Sequence, residues 1–454
     1  MTTLYDRLEH VADLDGSGHP VPQTEVLWQR GHRWRSRRRA GTAVLVGAAC
    51  LALVGLGLAG WRTSTQDDLR PASSPAGLPD RVWVPSPTLP GTDSTGPLGR
   101  IALVTSTERA GWWSSSVQPL AISAETGEYA FLDVPRFARG TELSPDGRHV
   151  AYWVTGEPSG SPPEDGEPVT GFAVYNTSTG ETRIQEVPTE HSMVPGDLIW
   201  TDEQTLLVNF TQALGGRGDD DMDQSTSSYQ PIWVWRLEET EAAPDPILTD
   251  AIDTYSLQGG GHGLVWWTDS DGGGIQVLPA REPTAAVGLI PLESPMMSHS
   301  VAVDAAGTRA AGGARNRNPS SVKWASIADG PLGTVSGTER TFRVLAWVDA
   351  SRVLVLQSPE LYGPSKDLRP MLRLVDVTTG ESEDVVTPVQ QSASASQSAL
   401  ERDISVAWEL ATEPTFVASE PPDPISQRTL VGWSVAAVVA ALAALLLWRR
   451  RVEP

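Results

Sequence analysis

Two uncharged apolar runs limit what this chain can fold into more than any other feature. Residues 41–60 read GTAVLVGAACLALVGLGLAG, and residues 430–448 read LVGWSVAAVVAALAALLLW. At about 1.5 Å of rise per residue, each is long enough to cross a hydrocarbon layer roughly 30 Å thick. A single central arginine would cost about 2.5–3.5 kcal/mol in such a run, so the absence of any charge is informative. Lipid offers backbone N–H and C=O groups no partners, so both runs are expected to be transmembrane α-helices.

The flanks set a direction. Arg33, Arg35, Arg37, Arg38 and Arg39 precede the first run, and Arg449, Arg450 and Arg451 follow the second. Excess arginine stays on the cytoplasmic side, so both termini are expected inside the cell and residues 61–429 outside it, at the plasma membrane. Trp61, Trp433 and Trp448 stand at the run edges, where interfacial anchors sit. A cleaved leader followed by a single anchor is the alternative, and it would leave the same segment outside. The expected division is a cytoplasmic basic tail (1–40), span one (41–60), a Pro-rich extracytoplasmic linker (61–98), a folded ectodomain (99–410), a second linker (411–429), span two (430–448) and a short tail (449–454).

With 40% hydrophobic and 20% charged residues, most of the chain is expected to fold rather than stay disordered. Cys50 is the lone cysteine and lies in the first run, so no intrachain disulfide can staple the ectodomain. The net charge is −22. Because both ends are positive, the middle is more acidic still, which excludes nucleic acid as a partner. Residues 63–98 hold seven prolines among Ser, Thr, Gly and Asp, the composition of an extended spacer, and 413–428 reads similarly.

Between the linkers the sequence repeats. LSPDGRHVAYWV (143–154), IWTDEQTLLVNF (199–210), VAVDAAGTRAAGG (301–313) and AWVDASRVLVLQ (346–357) each join two apolar strands across a turn marked by Asp146, Asp202, Asp304 or Asp349. LQGGGHGLVWWTD (257–269) is a weaker copy. A second hairpin recurs at AISAETGEYAFLDV (121–134), AVYNTSTGETRIQEV (173–187) and RLVDVTTGESEDVV (373–386), where Gly127, Gly180 and Gly380 would supply a positive φ. Four antiparallel strands every 45–55 residues or so is the signature of a propeller blade. The expected fold is all-β: a β-propeller of about six four-stranded blades (99–134, 140–187, 196–248, 253–290, 298–335 and 341–387). Residues 403–410 would supply the missing innermost strand of the first. Seven blades, or a β-sandwich, are the alternatives.

On SPDGRHVAYW (144–153) and these hairpins, residues 99–410 resemble the membrane-anchored WD-repeat-like and TolB-like β-propellers of bacteria, of actinobacterial type. The regular Gly-His and Trp-Asp pairs of the WD family are absent. The resemblance implies a protein-binding or sensing module. Residues 3–14, with Leu4, Leu8 and Val11 on one helical face, resemble tails of actinobacterial membrane proteins associated with extracytoplasmic-function sigma factors. A tail lying on anionic lipid is the plainer reading.

The sequence contains no G-x-S-x-G elbow, Walker loop or H-E-x-x-H. His10, His19, His32, His149, His191, His262 and His299 show no metal-ligand spacing. No catalytic residue and no cofactor are expected. Asp219, Asp221 and Asp223 alternate as in a calcium loop, but Gln224 and Gln230 stand where such a loop needs Gly and Glu, so a solvated loop is the default. Lining a propeller channel is one reading of His262 in its glycine run, and a lone histidine with no such role is the plainer one. The pairs Trp112–Trp113 and Trp266–Trp267 read as strand residues, one in the core and one outside. The expected function is a membrane-anchored extracytoplasmic module that binds or senses an envelope ligand or protein partner. The expected partners also include the lipid bilayer and a cytoplasmic protein on residues 1–40. A structural scaffold in envelope assembly is the alternative, and a hydrolase with an unrecognised site a remoter one.

Overall fold

The computed structural model describes residues 76–419, apart from 112–113, 163–166, 214–230, 253–256, 269–273, 282–287, 292–299, 314–319, 358–370, 390–403 and 413–414. All lie in one of two compact units of the chain, Pro71–Ser426. The two apolar runs lie outside the described residues, as do residues 1–40, Trp112–Trp113 and the loop holding Asp219, Asp221 and Asp223. Among the described residues no helix is long and apolar enough to cross a membrane.

The architecture is all-β. Two short strands come first, β1 (Leu78–Pro79) and β2 (Arg81–Trp83), then a single helical turn, α1 (Thr92–Thr95). Four-stranded antiparallel meanders follow. The first sheet takes β3 (Ile101–Ala110), β4 (Ser115–Ser123) and β5 (Tyr129–Phe131). The second has β6 (Phe137–Leu143), β7 (His149–Thr155), β8 (Val169–Asn176) and β9 (Thr182–Glu186), and the third β10 (Met193–Trp200), β11 (Thr205–Gln212), β12 (Trp233–Arg236) and β13 (Ala243–Pro244). These two are joined by one bridge, Met193 to Val169. Helix α2 (Pro246–Ala251), capped by Asp245, leads to the fourth sheet: β14 (Leu257–Gly261), β15 (Leu264–Thr268), β16 (Gly274–Pro279) and β17 (Gly288–Pro291). The fifth has β18 (Val301–Val303), β19 (Arg309–Gly312), β20 (Lys323–Ser326) and β21 (Gly330–Thr334). The sixth has β22 (Thr341–Trp347), β23 (Arg352–Gln357), β24 (Met371–Asp376) and β25 (Ser382–Val389). Finally β26 (Ser405–Val406) adds to the first sheet, antiparallel to β3 with Ser405 opposite Val104, and β27 (Phe416–Val417) pairs β1 in parallel.

The opening strands of consecutive sheets touch one another, β6 with β10, β10 with β14, β14 with β18 and β18 with β22. Separate cores fill the spaces between faces. Trp153, Phe172, Leu206 and Trp235 pack between the second and third sheets, and Leu207, Val234, Val265 and Trp267 between the third and fourth. Trp266, Ile275, Val301 and Ala325 pack between the fourth and fifth, and Ala311, Val344, Val353 and Val375 between the fifth and sixth. The last core joins Leu354 and Leu374 of the sixth sheet to Ile101, Val104, Tyr152 and Ala173 of the first and second, so the series returns on itself. Sheets packed face to face around a common centre make a β-propeller. Each sheet is covered on both faces, which is why its strands read as near-continuous apolar runs instead of alternating with polar residues.

That packing corrects one expectation. Trp266 and Trp267 point to opposite faces, but neither is outside: each is buried in a different inter-sheet core. The linkers are corrected too. From Ala76 onward the Pro-rich stretch belongs to the fold. Leu78, Val82, Leu89 and Leu98 are buried, and β2 extends the sixth sheet in parallel beside β25. Proline suits these positions because edge strands and short bridges need few amide donors. On the far side of 411, Phe416–Val417 and Ser419 close a clasp. The Trp83 amide donates to the Tyr129 hydroxyl (2.9 Å), the Trp83 indole to the Ser419 carbonyl (3.0 Å), and the Ser419 amide to Asp80 (2.9 Å).

The turns show why the repeat is visible. In three of the outer hairpins Ser123, Asn176 or Asp376 accepts two amides ahead of it, and Gly127, Gly180 or Gly380 follows at φ 71–78°. An L side chain is strained at that φ. In the inner hairpins the marker aspartates are not equivalent. Ser144 bonds the amides of Arg148 and His149 as Asp304 bonds those of Thr308 and Arg309, so Asp146 stands two residues later in its turn than Asp304 does.

Candidate functional site

The hairpins that join the first and second strands of the second, third and fourth sheets meet the segment after the closing strand, and a cleft is built where they converge. It has a volume of about 550 Å³ and is lined by Pro145, Asp202, Glu203, His262, Gly263, Pro279, Arg281, Trp408 and Glu409. Pro145 comes from the second sheet's turn, Asp202 and Glu203 from the third, and His262 and Gly263 from the fourth. Pro279 and Arg281 end the third strand of the fourth sheet. Trp408 and Glu409 lie in a short 3-10 helix, Trp408–Ala411, directly after the closing strand β26.

His262 reaches the centre because its turn has only two residues. His262 (φ 54°) and Gly263 (φ 76°) both have positive φ, as the tightest antiparallel hairpins require. The imidazole Nε2–H donates to the Trp347 carbonyl of the sixth sheet (2.8 Å), and the ring lies 4.5 Å from that of Trp408. One side chain of the fourth sheet thereby bridges to the sixth sheet and to the closing helix of the first.

The carboxylates define the electrostatics. Asp202 pairs with Arg281 (3.4 Å) and also accepts the Gln204 amide (2.8 Å). Glu203 is exposed. The Glu409 amide donates to the Pro145 carbonyl (3.2 Å), tying the closing helix to the second sheet. Burial pushes the Glu409 carboxyl up to about 7, Glu203 and Asp146 push the same way by repulsion, and Arg100 opposes them. Behind the cleft His149 stacks on Trp200 at 6.0 Å, and burial holds its imidazole below the usual range.

A second depression of about 420 Å³ lies at the rim of the first sheet, lined by Asp93, Arg109, Ser116, Gln118, Asp133, Val134 and Pro135. Its one arginine is already engaged: Arg109 pairs with Asp133 and sits 5.2 Å over the Phe131 ring.

Among the described residues no group of three His, Cys, Asp or Glu side chains is placed to hold a metal ion. Of the cleft residues, the sequence marks Asp202 as a turn residue and places Trp408 and Glu409 in the closing segment 403–410, where the structure has a strand only at Ser405–Val406 and a 3-10 helix at Trp408–Ala411. Glu203 and Arg281 carry no motif of their own, and channel lining is the lesser reading of His262; ring closure is what brings residue 409 to residue 203.

No protein-family model matches the chain and no curated protein matches it. It is similar to several solved structures. A chain of the nidogen/laminin complex matches at 11% identity and TM-score 0.36, over 64% of this chain and 94% of that one. TolB from Acinetobacter baumannii matches at 15% identity and TM-score 0.38, over 65% of this chain and 64% of TolB. One chain from a study of two prolyl endopeptidases matches at 14% identity and TM-score 0.31, over 64% of this chain and 49% of that one. Scores and identities this low transfer no activity, ligand or partner.

Proposed function

We propose that this protein is a membrane-anchored, extracytoplasmic propeller of six blades that binds or senses an envelope ligand or protein partner at its axial cleft, without catalysis of its own. The six meanders are the blades, and β26 is the strand from the far end of the sequence that completes the first. The uncharged runs 41–60 and 430–448, with arginine on the outer side of each, support two anchors and an exported middle. The observation that carries the binding reading is the cleft: turns from several blades and the closing helix converge on one concave, partly polar, partly aromatic surface, the usual form of a recognition site.

Two measurements test it. An alkaline phosphatase reporter fused near residue 250 is expected to be active in cells, and the same reporter after residue 454 inactive; the reverse pattern defeats the topology. A photo-crosslinking side chain at Glu203 is expected to capture an envelope component in cells, whereas one at Val117, 55% exposed on the first sheet, captures none. Equal capture at both positions would remove the cleft from consideration.

A further inference from the structure

We propose that the axial cleft selects a cationic group, an organic amine or guanidinium such as a basic side chain of a partner, which seats on Trp408 between Glu203 and Glu409. This rests on the cleft being the binding site and adds the chemistry of what enters it.

Charge matching within the cleft is incomplete. Arg281 is committed to Asp202 at 3.4 Å. Arg100 donates its Nε–H to the Asp146 carbonyl at 2.8 Å, and Arg148 pairs with the Asp146 carboxylate at 3.5 Å. Among the described residues Glu203 and Glu409 form no ion pair, and each lies close enough to repel the other. The fold therefore brings like charges together from two sheets, and Arg100 offsets them only in part, since the Glu409 carboxyl stays raised; a bound cation would relieve the rest.

The wall beside them is aromatic. Trp408 offers the ring on which ammonium and guanidinium groups bind best. His262 lies tilted against that ring at 4.5 Å and is held by its bond to the Trp347 carbonyl. A bare metal ion is disfavoured, because no three ligating side chains converge among the described residues. A volume of about 550 Å³ suits an organic group with its stem.

The proton on Glu409 makes the preference readable. Glu203 and Asp146 act on Glu409 by repulsion and Arg100 by attraction, and Asp202, Arg281 and His262 line the same cleft. Half-neutral near pH 7, Glu409 must lose its proton to hold a cation. If the bound cation moves that ionisation below pH 6, affinity rises about tenfold from pH 6 to pH 8.

The test uses the full chain in detergent micelles and ligand-observed NMR. The probes are doubly blocked lysine, its Nε-acetylated neutral form, doubly blocked glutamate and a neutral disaccharide. Blocked lysine is expected to bind, about tenfold better at pH 8 than at pH 6. Binding is lost in Trp408→Ala, and the pH dependence is flat in Glu409→Gln, whose near-unchanged shape keeps the fold intact; a thermal melt checks this. If the acetylated form or the disaccharide binds as well as blocked lysine and still requires Trp408, the cationic class is wrong while the cleft stands. If no probe binds in a Trp408-dependent way, the proposal is overturned. Failure of crosslinking at Glu203 would separately remove the site.

Discussion

Glu409 is where burial and repulsion act on one titrating group. Its folded ionisation is raised to about 7, above the ordinary carboxylate value of 4.5. A raised carboxyl favours the fold below the unfolded value, and that advantage disappears as pH climbs through about 7. Glu409→Gln removes the charge but keeps the shape. Because the side chain is only half-buried, solvent screens the effect to roughly 1 kcal/mol. The variant is expected to melt about 1–3 °C higher than the parent at pH 8 and at the same temperature at pH 5, by calorimetry at both values. A gain at pH 5 equal to that at pH 8 would show that the carboxylate is not the cause. Asp376 runs in the opposite sense. Bonds from Ser351 and Thr378 hold its carboxyl well below the usual range, so the stability it gives is present above the ordinary carboxylate value and fades in strong acid.

A sheet of this molecule is an apolar slab with two inner surfaces. Successive residues such as Leu206 and Leu207, or Trp266 and Trp267, enter different cores, so no strand has a face to spare. Trp266 is 4% exposed, and its indole N–H donates to the Val301 carbonyl of the next sheet (3.1 Å). Trp266→Ala is expected to cost about 3–5 kcal/mol in chemical denaturation, with the fourth and fifth sheets losing amide protection together. Protection lost from the fourth sheet alone would mean the cores are not shared. The strand–turn–strand rhythm was legible in sequence because Gly127, Gly180 and Gly380 mark one backbone geometry with one residue type. The fate of the two tryptophans was not, since alternation tells which side a residue faces and not whether that side is covered. The equivalence of the marker aspartates was misread for a similar reason: Ser144 and Asp304 do the same job with different atoms.

At the scale of the whole molecule, closure depends on a few residues far from the rest in sequence. The Ser405 hydroxyl accepts the Leu143 amide (2.9 Å) and donates to Glu142 (3.0 Å), so β26 fastens the first sheet to the second. A chain ending at residue 403 would expose the edge of β3 and lose Trp408 and Glu409 with it. It is expected to unfold without the parent's cooperativity in urea, with a shallower transition; an unchanged slope and midpoint would show that closure is dispensable. The need for a closing strand was readable from the short first repeat. The cleft was not, because its residues converge only when the ring is shut, and no spacing along the chain encodes that meeting. The clasp was hidden as well, since proline-rich composition describes a free spacer as well as it describes β1 and β2.

The clasp has a mechanical meaning. β1 and β27 run in parallel, with Leu78 opposite Phe416 and Pro79 opposite Val417. The chain enters through one and departs through the other. Tension drawn apart from residues 76 and 419 must slide these strands along each other while straining the bonds of Trp83, Tyr129 and Ser419, so several contacts share the load at once. The sheets are expected to be shielded from such a pull until that lock yields.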